Sequence, residues 1–94
     1  MEKIFKYPLK VDDIQMVEMP KGAVVLTVQT QREIPCLWAK VDPSAPAIKR
    51  CFITYGTGHP ADDGQAQHYV GTYQLSIGLV FHVFTDQVEY PRDA

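Results

Sequence analysis

Apolar and polar side chains alternate one by one along most of this chain, and that rhythm limits the fold more than any other feature. Val24, Leu26 and Val28 interleave with Val25, Thr27 and Gln29. Successive side chains of a strand point to opposite faces, so a period of two specifies a half-buried pleated surface, whereas a helix needs spacings of three and four. The β-branched content suits such a surface. The same rhythm marks residues 34–41, with Leu37, Ala39 and Val41 on one face, and residues 48–55, with Cys51, Ile53 and Tyr55. It returns over 69–75, where Tyr69, Tyr73 and Leu75 are expected to share a side, and over 79–85, where Leu79, Phe81 and Val83 do. Residues 3–9 and 14–19 show weaker versions.

Breakers separate these runs: Pro20, Lys21 and Gly22; the 42–46 segment with Pro43 and Pro46; Gly56, Thr57, Gly58, His59 and Pro60; and Gly78. Proline fixes φ and glycine supplies positive φ, so each suits a turn. Seven short strands at intervals of about ten residues predict an all-β, mainly antiparallel domain, a small β-sandwich or barrel. Residues 1–94 are read as one domain, the last few residues as a flexible tail, and 60–67 as room for one helical turn at most. Neighbours in sequence are expected to pair. A hairpin at 42–46 would bring Cys36 across from Cys51, as packed apolar groups rather than a redox pair.

Hydrophobic residues make up 46% of the 94 and charged ones 21%, a balance that folds rather than stays disordered. So short a chain buries a modest share of its surface, and a homo-oligomer would cover apolar strand faces. The formal charge of −2 argues against long nucleic acid, whose binding needs a clustered basic face. No apolar stretch reaches membrane-spanning length, the opening residues resemble no signal peptide, and two cysteines make no disulfide framework. A cytoplasmic location with no membrane partner is the expectation.

The densest candidate site is Tyr55, Gly56, Thr57, Gly58 and His59. Its glycines either cradle an anion with successive N–H groups or only serve a tight strand exit. It matches neither a nucleotide-hydrolase P-loop nor a dinucleotide fingerprint. Arg50 offers a charge for a phosphate or caps an exposed sheet face. Trp38 either stacks on a planar ligand, covers a subunit interface or belongs to the core. His82 should point with Val80 and Phe84, as a hydrogen-bonded core residue or towards a pocket. His59, Asp62, Asp63 and His68 are metal-binding types without metal-binding spacing, and a solvated loop is the preferred reading. Ser44, Ser76 and Cys51 lack the partners of an activated nucleophile, so neither catalysis nor a cofactor is expected.

The segments Glu18 to Ala23 (EMPKGA), Pro35 to Ala39 (PCLWA), Gly56 to Pro60 (GTGHP), Gly71 to Gln74 (GTYQ) and Val80 to Phe84 (VFHVF) resemble an uncharacterised family of short phage and prophage proteins. The resemblance spans nearly the whole chain. It implies an accessory protein acting in the host cytoplasm and gives no residue a role. It is compatible with two functions. One is a binding protein that sequesters a small phosphate-bearing ligand, such as a nucleotide second messenger of host immune signalling, through Trp38, Arg50, Tyr55, Gly56, Thr57, Gly58 and His59. The other is a protein–protein interaction module, inhibiting a host protein or serving virion assembly.

Overall fold

A computed structural model describes residues 1–61 and 68–93. Seven strands form: β1 (Lys3–Pro8), β2 (Ile14–Pro20), β3 (Val24–Gln31), β4 (Ile34–Val41), β5 (Ala47–Gly56), β6 (His68–Gln74) and β7 (Val80–Pro91). All pairings are antiparallel, in a three-stranded sheet of order β1-β4-β3 and a four-stranded sheet of order β2-β5-β7-β6. The all-β expectation holds, in its sandwich form. The helical turn expected over 60–67 falls almost entirely outside the described residues.

The interior is made by the faces the alternation picked out. Val28, Leu37, Ala39 and Val41 of the smaller sheet meet Phe52, Tyr73 and Val83 of the larger one. Phe52 and Leu37 are wholly buried. Each such side chain is worth about 1.5–3 kcal/mol of transfer from water. At one side the sheets close on each other: a Cβ at Gly71 of β6 would lie 2.9 Å from Val28 Cγ1 of β3, so only glycine permits this approach. The opposite edges are β1 and β2, joined through Gln15, whose side-chain amide accepts from Lys10 N–H and donates to Lys10 O.

Sequential pairing holds only for β3 with β4 and β6 with β7. The expected β4–β5 hairpin does not form, because both edges of β4 are taken by β1 and β3 and both edges of β5 by β2 and β7. The turn at Asp42, held by Ser44 N–H and Oγ on its carboxylate and by Ala45 N–H on its carbonyl, instead carries the chain from one sheet to the other. Cys36 and Cys51, both free thiols, therefore lie on different sheets and are not cross-strand partners.

Register shifts interrupt three of the ladders, between Val25 and Thr27, between Arg50 and Phe52, and between Tyr69 and Gly71. The first and the last each carry one extra residue, which flips parity and inverts the facing of the residues beyond, whereas the middle one keeps Arg50 and Phe52 on the same side. Val25 and Val28 are opposite the inward Ala39 and Leu37, so Val24, Leu26 and Val28 do not share a face, and Leu26 is about half exposed. Tyr69 likewise pairs with outward Phe84 while Tyr73 pairs with inward Phe81, on the other side of β6. β7 runs past the expected 79–85 to Pro91. Two contacts hold this extension: Glu89 accepts from Gly22 N–H at 2.6 Å, and Arg92 Nε donates to Glu18 at 2.9 Å.

Candidate functional site

On β7, Val83 points inward and is fully buried, which turns His82 and Phe84 to the outer face of the four-stranded sheet. Register then places Tyr55 of β5 and Thr72 of β6 on either side of His82, and Tyr69 beside Phe84. These side chains, with Thr57, Gly58 and His59 from the loop after β5, line a concavity of about 440 Å3. Phe84 is met edge-on by two rings, Tyr55 at 5.7 Å and Tyr69 at 5.5 Å between centroids.

Both imidazole nitrogens of His82 are engaged: Thr57 Oγ1 lies 2.8 Å from Nε2 and Thr72 Oγ1 lies 3.0 Å from Nδ1. Thr72 Oγ1 is in turn 2.5 Å from the Tyr69 hydroxyl, and Thr57 Oγ1 is 3.4 Å from the Val80 carbonyl. One run of donation uses every contact: Tyr69 to Thr72, Thr72 to Nδ1, Nε2–H to Thr57, and Thr57 to Val80 O. It requires the neutral Nε2–H tautomer. With its edge occupied, the imidazole is fixed in orientation beside the aromatic rings.

The loop itself is a tight turn. Thr57 N–H donates to Val80 O at 3.1 Å and His59 N–H to Gly56 O at 3.0 Å, so two of the N–H groups an anion cradle would need are used within the fold. Gly58 takes the left-handed turn position at φ 88°, and the His59 ring folds over Gly56 so closely that a Cβ there would lie 3.0 Å from Nδ1. The strand-exit reading therefore accounts for the glycines.

The remaining expected site residues are elsewhere. Trp38 is half-buried on the outward side of β4, between Lys6 and Thr27, in the other sheet from the loop. Arg50 does share a side with Phe52 and Thr54, but that side is the interior: it is 7% exposed rather than capping an open face. Its Nη1 donates to Ala23 O at 3.2 Å, while its buried Nε has no hydrogen-bond partner. Asp62 and Asp63 lie outside the described residues, and among the described residues no three potential metal ligands cluster. The Cys51 thiol is pushed up from its usual value by burial and then by the nearby Asp86 carboxylate, which disfavours the nucleophilic thiolate. Tyr69, Thr72, His82 and Phe84 are the site residues that sequence reasoning did not join to the loop. The signal available was the outward pairing of His82 with Phe84, two residues apart on β7.

The fold and this surface define a small antiparallel β-sandwich with an outward aromatic concavity organised round a hydrogen-bonded histidine. The chain belongs to the family described as a domain of unknown function, DUF7352, whose model matches residues 1–93. No curated protein and no solved structure matches it. Among the described residues no helix is long and apolar enough to cross a membrane.

Proposed function

We propose that this chain is a non-enzymatic binding module that receives the flat ring of a small ligand in the concavity of Tyr55, Tyr69, Thr72, His82 and Phe84. The observation that carries the reading is His82, immobilised at both nitrogens next to three aromatic rings. An orienting network of this kind preorganises a surface for stacking, and the aromatic faces suit a nucleobase. The resemblance to phage proteins motivates the particular form of the proposal: an oligomeric accessory protein in the host cytoplasm that sequesters a nucleotide second messenger and so blunts immune signalling.

Calorimetry with linear and cyclic nucleotides tests it. Saturable binding that Tyr55→Ala weakens by about 5–150-fold is expected, the loss of one base–aromatic stack. Absence of heat across the panel, with the protein folded, overturns it.

A second reading, a protein-interaction module, is favoured by the outer edge of β2, where Ile14 and Met16 are exposed at the end of the four-stranded sheet. An exposed apolar edge accepts an added strand. A stoichiometric protein partner lost on Met16→Lys, together with silent calorimetry, would replace the first reading with this one.

A further inference from the structure

A second cavity lies on the other side of the four-stranded sheet from the aromatic concavity, and among the described residues Tyr69 alone lines both. It measures about 420 Å3, at the lower end of the range of small-molecule pockets, and opens between the strand edges of β3 and β6. All three register shifts of the fold converge on it. Leu26, skipped in the β3 ladder, and Val70, skipped in the β6 ladder, form two of its walls. Gln87, at φ 61° in the stretch of β7 where the β5 ladder shifts, forms a third. Bulges re-aim side chains at the cost of ladder hydrogen bonds, and they concentrate beside functional sites. Here they hold apart two sheets that touch a few residues away, where Gly71 meets Val28.

The charge of this cavity is one-sided. Among the described residues its lining carries the Arg50 guanidinium and the His68 imidazole and no carboxylate. Glu89 is the register partner of Arg50 on β7, yet its carboxylate accepts from Gly22 N–H, and no ion pair to Arg50 forms among the described residues. More than nine-tenths of Arg50 is buried, one end fixed by Ala23 O, and Nε–H faces no acceptor. A buried cation without an ion-pair partner among the described residues, lining a space large enough for a ligand, calls for an anion, because burial of an unpaired charge is strongly unfavourable. Planar guanidinium donors match the oxygens of carboxylate and phosphate.

We infer that this cavity is a binding site for a small ligand bearing an oxyanion, of carboxylate or phosphate type, held by the Arg50 guanidinium in its lining. The fixing of Nη1 on Ala23 O orients the guanidinium before the ligand arrives, and His68 at the mouth supplies a second polar contact.

The test is side-chain NMR of the whole chain, following the Nε–H signals of Arg32, Arg50 and Arg92 while inorganic phosphate or acetate is added at constant ionic strength. A saturable shift of Arg50 alone is expected. Response to phosphate and not acetate assigns the site to phosphate groups, and the reverse assigns it to carboxylates. Leu26→Trp, which fills the mouth from an exposed position, abolishes the shift while the protein stays folded. Arg50→Lys, if it folds, weakens binding at least tenfold, since an ammonium lacks the planar fork. A motionless Arg50 signal with both anions, or equal linear drift of all three arginines, overturns the proposal.

Discussion

At Gly71 the two sheets come nearer to each other than any side chain at that position would allow. A methyl group there would press on Val28 Cγ1 at 2.9 Å and on the Val28 backbone at 3.4 Å, and a β-branched neighbour cannot swing aside. Gly71→Ala should therefore destabilise the fold by about 1–3 kcal/mol in urea titration, and Val28→Ala in the same chain should return part of that loss. Glu33 shows a different kind of dependence. Its carboxylate accepts from Ser76 N–H at 2.7 Å, tying the β3–β4 turn to the β6–β7 turn, and hydrogen bonding to Ser76 holds its pKa below the ordinary carboxylate value. A lowered folded-state pKa contributes stability that is complete above the unfolded value and disappears as pH falls through the folded one. The melting temperature of the wild type should accordingly drop more steeply below about pH 4.5 than that of Glu33→Gln.

Among the elements, β4 was readable from its alternation, which ends at the proline-bearing 42–46 turn, although Arg32 and Glu33 before it are not turn-forming types. The faces of β3 and β6 were not, since a bulge inverts parity without any residue that announces it: Leu26 and Val70 look like ordinary strand positions. Nor does local chemistry at Asp42, Pro43 and Ser44 distinguish a hairpin from a crossing between sheets, a choice made by which edges other strands have already filled. For the same reason the loop from Tyr55 to His59 stood out as a candidate by composition, while its companions Tyr69, Thr72, His82 and Phe84 join it only once register is known. Arg50 was noticed for its charge but its burial was not visible in sequence. The shift between β5 and β7 is itself held by a buried hydroxyl, Thr85 Oγ1, which donates to Cys51 O at 2.8 Å. Thr85→Val keeps the shape and leaves that carbonyl without its donor, and equilibrium unfolding should show a loss of about 1–3 kcal/mol.

For the molecule as a whole, the chain passes between sheets three times: after β1, after β2 and after β4. Most pairings consequently join residues distant in sequence, and closure of those long loops precedes any gain from packing. Refolding followed by Trp38 fluorescence in a stopped-flow mixer should take milliseconds to seconds rather than the microseconds of helical bundles. The layout also ranks the strands. β7 is hydrogen-bonded on both sides, to β5 and to β6, whereas β1 has β4 alone and β2 has β5 alone. In heavy water, the amide protons of β1 and β2 should be traded for deuterium within the earliest time points, and those at the centre of β7 should persist until the entire chain opens, so that one isotope-labelling time course would trace the order in which the sandwich comes apart.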